Sequence, residues 1–152
     1  FNSYYLLKPF FIFFMWRVRV AKSKRKSYYV YKVTCTLSKS YYIGLTGNIN
    51  TREMEHLRNI HSALCVVTSS KKISKYNGFL NAHIWFAKRL SINITNQRHA
   101  LSFKVSDYIR VRIIKTFSTK LQASKYETML LEQTKTDIYC LNEMKYSMYS
   151  KK

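Results

Sequence analysis

Acidic residues are scarce in this chain. Asp and Glu together number 7 in 152 residues against 27 Lys and Arg, which gives a formal net charge of +20. A Lys-rich surface inherited from an AT-rich genome is the plain reading of that excess, but such a bias enriches Asp and Glu as well. The imbalance therefore points to a polyanionic partner that relieves the self-repulsion, with nucleic acid the leading candidate. Cysteine is also sparse: Cys35, Cys65 and Cys140 lie far apart and form no CxxC pair, so the spacing supports neither a zinc ribbon nor a disulfide framework. A reducing compartment, hence the cytoplasm, is the expectation. The apolar run from Phe10 to Trp16 is only seven residues long and follows Lys8 and Pro9. It is too short to span a bilayer and lacks the flanks of a signal peptide, so no stable membrane association is expected.

Glycine and proline are so few, with Gly44, Gly47, Gly78 and Pro9 the complete set, that each marks a break worth reading. The length suits one compact domain. Residues 1–26 read as an apolar then basic extension, residues 27–145 as the domain and residues 146–152 as a basic tail. Residues 1–14 look like a translated upstream extension or the end of a preceding region, with an amphipathic arm packed on the domain as the alternative. Between the breaks, Ser27–Thr34 is aromatic and β-branched, as a strand should be, and Tyr41–Leu45 follows a short polar turn, which predicts an antiparallel hairpin. Asn48 is a good cap for a helix over about 49–60, while 62–77 has no clear pattern. A mostly buried helix is expected over 78–90, a loop over 91–99, an extra strand over 100–105 and a stronger strand over 108–117, where Ile109, Val111 and Ile113 alternate with Arg110 and Arg112. Ser118 or Thr119 then caps a helix whose Tyr126, Met129, Leu130 and Gln133 share a face. The order predicts an α/β (α+β) domain with a small three-stranded antiparallel sheet flanked by helices.

The segment from Tyr29 to His56 reads YVYKVTCTLSKSYYIGLTGNINTREMEH. It resembles the GIY-YIG nuclease family. Val30 and Tyr31 stand at the last two letters of that family's first motif, and Tyr42, Ile43 and Gly44 spell the second. Arg52 follows the motif glycine by eight residues, at the family's helix arginine, and His56 matches a histidine of many members one turn later. Glu127 in SKYETMLLEQ matches the metal-binding glutamate, and Asn142 in CLNEM matches an asparagine beyond it. Tyr29 replaces the family's first glycine, and about 70 residues separate His56 from Glu127, which leaves room for an insertion around residues 62–106.

The resemblance implies a metal-dependent DNA endonuclease that hydrolyses phosphodiester bonds, with Mg²⁺ or Mn²⁺ held at Glu127. The chemistry needs an activated water, a cation against the developing charge and an acid for the leaving oxygen. Tyr31 and Tyr42 lie an odd number of residues apart across the hairpin, so both phenols reach one sheet face if the register allows. Arg52 and His56, four apart, share a helix face; Arg52 suits two phosphate oxygens and His56 a proton relay. Either tyrosine, or His56 acting through Tyr31, is a candidate base. Gly44, Asn48, Arg52, Lys71, Lys72, Arg110, Arg112 and Asn142 are candidates for nucleic-acid contact, with Lys22, Lys24, Arg25, Lys26 and Lys75 as further basic groups. His61, His83 and His99 show no zinc spacing and read as structural or incidental. Each site residue has a plain alternative: tyrosine occurs 13 times, and a helix arginine or histidine is usually just solvated. This length has no room for a separate DNA-targeting domain, so site recognition is expected from the insertion, the basic N-terminal stretch, a homodimer partner on DNA or a piece outside this chain. The rival to the nuclease is a non-catalytic basic nucleic-acid-binding module, either a degenerate GIY-YIG fold or a ribosome-associated protein.

Overall fold

The computed structural model describes residues 26–69 and 79–142. Expectations placed on 1–25, 70–78 and 143–152, including Lys22, Lys24, Arg25, Lys71, Lys72 and Lys75, lie outside the described residues. The chain is α+β: β1 (Tyr28–Cys35), β2 (Tyr41–Thr46), α1 (Ile49–Thr68), α2 (Asn81–Ser91), α3 (Gln97–Ser102), a 3₁₀ turn (Val105–Asp107), β3 (Ile109–Phe117) and α4 (Lys120–Gln133). The three strands form one antiparallel sheet in the order β2-β1-β3.

Strand periodicity divides the core. Successive side chains of a strand point to opposite faces, so Tyr31, Val33 and Cys35 of the central strand enter the core built by α1 and α2, where Ile60, Leu64, Phe86 and Leu90 are buried with them. Val30 faces the other way, joining Tyr41, Ile43 and Ala123 under α4. The free edge of β2 is covered by the chain after α4. Tyr41 N–H donates to the Tyr139 carbonyl at 2.8 Å, and Leu141 N–H donates to the Tyr41 carbonyl at 2.7 Å. Such cover removes an exposed row of strand groups that would otherwise invite pairing with another chain.

Several expectations change. The first helix continues past Ile60 to Thr68, because Ala63 and Leu64 prolong the buried stripe of His56 and Ile60 at helical spacing. The extra strand over 100–105 and the last three residues of the loop before it, 97–99, are replaced by α3 and the 3₁₀ turn, while 92–96 is irregular as expected. Asn96 caps that helix by accepting from His99 N–H at 2.8 Å, and Ala100 is buried within it. On α4 the packed face is Ala123, Tyr126, Leu130 and Leu131, while Met129 and Gln133 are exposed. The predicted alternation of β3 holds for Ile109 and fades by Ile113, which is 48 % exposed. That strand lies at the sheet edge, and a bulge opposite Val30 and Tyr31 shifts its register at Ile114. Within 62–106 the described residues form no strand: they hold the end of α1, then α2, α3 and the 3₁₀ turn, joined by short irregular stretches, and among the described residues no helix is long and apolar enough to cross a membrane.

Candidate active site

The hairpin register settles the first geometric question. Tyr31 pairs with Gly44 and Val33 with Tyr42, so the two tyrosines are diagonal neighbours on one sheet face. Gly44 is what lets Tyr31 lie flat across β2. A Cβ on Gly44 would stand 2.5 Å from the Tyr31 hydroxyl oxygen and 2.7 Å from the ring carbon that bears it. Gly44 is itself buried, so its place is behind the phenol and not against a phosphate. Gly44→Ala is expected to destabilise the fold by about 1–3 kcal/mol through overpacking, read as a lower urea midpoint, and to displace Tyr31.

Thr46, Gly47 and Asn48 end the strand, and the Asn48 side chain caps α1 by accepting from Thr51 N–H at 3.2 Å. This cap occupies the Asn48 oxygen and sets the first turns of α1 against the tyrosines. Arg52 Nε–H donates to Tyr31 Oη at 3.0 Å, while its outer nitrogen pairs with Glu55 at 2.8 Å. One turn on, His56 is 1 % exposed; its Nε2 lies 2.9 Å from Tyr31 Oη, and its ring stands edge-on to both Tyr31 and Tyr42.

Behind His56 stands a residue that its sequence spacing marks only as structural or incidental. His83 of α2 is 3 % exposed, with Nε2 at 2.8 Å from His56 Nδ1. Its own Nδ1 accepts from Leu80 N–H at 3.2 Å. A neutral imidazole has one donor and one acceptor. The backbone bond makes His83 Nδ1 the acceptor, so Nε2 carries the proton and donates to His56 Nδ1. His56 in turn carries its proton on Nε2 and donates to Tyr31. The phenol oxygen thus accepts two hydrogen bonds, one from His56 and one from Arg52. The relay expected of His56 is corrected accordingly: its accepting nitrogen is filled by His83, which leaves it a donor to Tyr31. The sequence does hold a signal, since His83 falls on the same stripe as Phe86, Ala87 and Leu90, the buried face of α2.

Electrostatics agree with that assignment. Burial, helped by the charges of His83 and Arg52, lowers the His56 pKa to about 3, and burial with Arg52 lowers that of His83 to about 4. Both are neutral at pH 7. Because unfolded histidine takes up protons near pH 6.5 and these two do not until much lower pH, stability is full above about 6.5 and falls as pH drops toward 4 and 3. The slope is at most about 1.4 kcal/mol per pH unit for each histidine. Thermal melts between pH 7 and 5 should show Tm falling, and less steeply in His83→Phe. Burial also raises the Tyr31 pKa, opposed by the Arg52 bond, and pushes Tyr42 up to about 12. Burial acts against the charge of Arg52, but its bonds to Tyr31 and Glu55 outweigh this and keep it protonated.

Glu127 projects from α4 with its carboxyl half-buried, and burial raises its pKa. Its charge reaches both phenols and raises the pKa of each. No hydrogen bond or ion pair engages this carboxylate among the described residues. Among the same residues, no three His, Cys, Asp or Glu side chains converge as a metal cage. A lone carboxylate nonetheless suits Mg²⁺, which keeps several waters and takes its remaining ligands from substrate phosphate.

Other expected contacts lie elsewhere. Asn142 is 8 % exposed and grips the β2 backbone, accepting from Ile43 N–H at 2.9 Å and donating to its carbonyl at 2.6 Å. That pair of hydrogen bonds makes it a clamp on the sheet edge. Arg110 and Arg112 are exposed on β3, paired with Thr34 and Lys32, and therefore face away from Tyr31. Arg110 is further tied to the Ser106 carbonyl at 2.7 Å. Comparison of the chain with protein-family models, with curated proteins and with solved structures returned no match.

Proposed function

We propose that this chain is a metal-dependent DNA endonuclease that hydrolyses phosphodiester bonds through a GIY-YIG-type site. The observation that carries the reading is the pair of donors meeting at one phenol oxygen, with an unpaired carboxylate in electrostatic reach. Hydrogen bonds to an oxygen strengthen as it becomes an anion, so His56 and Arg52 stabilise the phenolate form of Tyr31. That favours Tyr31 over Tyr42 as the base that takes a proton from the attacking water.

Arg52 links base to substrate. When a phosphate arrives, its oxygens displace Glu55 from the outer guanidinium nitrogens while Nε stays on Tyr31. The scissile phosphate is then set one guanidinium width from the phenol. Glu55 holds Arg52 in this pose in the free protein; as an exposed pair it gives way readily. Glu127 would hold Mg²⁺ or Mn²⁺, which when bound neutralises charge on the phosphate and favours ionisation of the nearby phenol. Tyr42, packed edge-on to His56, keeps that ring in place.

The pH–rate profile of DNA nicking tests this assignment. A phenol base with a pKa above neutrality is ionised tenfold more per pH unit, so the rate should climb with a log slope near one from about pH 6.5 to 8.5. A rate that stays flat across this window would rule out a phenol base and overturn the role of Tyr31.

A further inference from the structure

Helix α2 has a second face that the site does not use. Ile84, Trp85 and Lys88, with Ile92 beyond the helix end, follow one another at three- and four-residue spacing on the side away from His83 and Phe86. Trp85 is 44 % exposed and Ile92 71 %. They border a cavity of about 530 Å³ whose wall includes Lys88 and Arg89. Trp85 and Arg89 also border a second cavity of about 520 Å³ over the β1–β2 turn, together with Lys39 and Tyr139. Asn81 and Leu141 connect the first cavity to a third, of about 140 Å³, that reaches Tyr42. The three form one groove from the tyrosine site, along the outside of α2, to the hairpin turn.

The chemistry of the groove is selective. Two half-exposed aromatics, Trp85 and Tyr139, alternate with the cations Lys88, Arg89 and Lys39, and among the described residues no acid lines any of the three cavities. The nearby carboxylate of Asp137 is engaged by the Tyr41 hydroxyl and by Tyr139 N–H. Arg89 is anchored through Nε–H to the Leu37 carbonyl at 3.4 Å, which holds its guanidinium beside Trp85. Aromatic faces spaced by phosphate-binding cations suit a strand whose bases are unpaired and free to stack. A duplex keeps its bases stacked inside and offers such faces nothing, and an uncharged protein partner would leave three cations without counter-charges.

We infer that this groove is a docking track for an unpaired DNA strand, with Trp85 as its stacking platform and Lys39, Lys88 and Arg89 on the phosphates. The strand's course toward Tyr42 rests on the nuclease reading, and it makes flapped or branched DNA the preferred substrate class. Binding is measured without metal, by fluorescence anisotropy of a labelled oligo-dT strand and of a hairpin duplex matched in phosphate number. Trp85→Ala should weaken the oligo-dT affinity roughly five- to 150-fold, the equivalent of about 1–3 kcal/mol for a stacked base, and leave the duplex affinity unchanged. Trp85→Phe should retain most of the strand affinity. Lys125→Ala, on α4 and off the groove, should weaken both ligands slightly and alike. The inference fails if Trp85→Ala leaves oligo-dT binding intact, if it weakens strand and duplex equally, or if the wild-type chain self-associates in sedimentation through Trp85. Cleavage is scored separately. A chain that binds the strand through Trp85 but cuts nothing keeps the groove and loses the nuclease reading; one that nicks plasmid with Trp85-independent strand binding does the reverse.

Discussion

Tyr31→Phe is expected to lower the rate of DNA cleavage by about 10²–10⁴-fold, the usual contribution of a positioned proton acceptor. The ring remains in its slot over Gly44, so the fold should survive. It should be weaker by about 1–3 kcal/mol, because His56 Nε2–H and Arg52 Nε–H lose their common acceptor in a buried site. DNA affinity should change little, since the Arg52 guanidinium still meets phosphate. Tyr42→Phe keeps the edge-on packing against His56 and should cost less activity. Measured side by side under Mg²⁺, the two variants assign the base. If Tyr42→Phe is the dead enzyme and Tyr31→Phe cuts near the wild-type rate, the role of base passes from Tyr31 to Tyr42. If both cut at wild-type rates, no tyrosine base operates and the non-catalytic binding module is the better account.

Glu127→Gln separates catalysis from binding. If the carboxylate serves only to hold the divalent ion, the amide should reduce cleavage by about 10³-fold or more, the rate equivalent of several kcal/mol of transition-state charge stabilisation. Affinity for DNA in the absence of metal should stay the same or rise slightly, because the substitution removes an anion from beside the phosphate. Restored cleavage at high Mn²⁺ would still agree with a metal-holding role. Equal loss of binding and cleavage would instead make Glu127 part of the DNA-contacting surface or of the fold.

Local pattern makes much of this arrangement readable from the chain alone. The hairpin follows from the β-branched and aromatic runs on either side of a polar turn, and Asn48 and Thr119 announce the starts of α1 and α4. The gathering of Tyr31, Tyr42, Arg52 and His56 needs only strand alternation, one helix turn and the Tyr-Ile-Gly triplet, because all four lie within one short stretch of chain. What stays hidden depends on contacts distant in sequence. His83 becomes meaningful only when α2 lays its buried stripe on α1, 27 residues from His56 in sequence. That Asn142 clamps the β2 backbone shows only when Ile43 is brought up from 99 residues away. Arg110 and Arg112 alternate as expected, but which face they take is set by pairing with β1. The helix at 97–102 escapes a reading by pattern for a different reason: six residues give a weak period, and the Asn96 cap is the better clue.

The most direct test is plasmid nicking by the purified chain in Mg²⁺, with EDTA and Glu127→Ala as controls. The account predicts conversion of supercoiled plasmid to nicked or linear forms by the wild-type chain in Mg²⁺. It also predicts no conversion in EDTA and none by Glu127→Ala, although that variant still shifts the plasmid on a gel. Binding without cutting by the wild-type chain across divalent ions, or nicking that Glu127→Ala performs equally well, would contradict it.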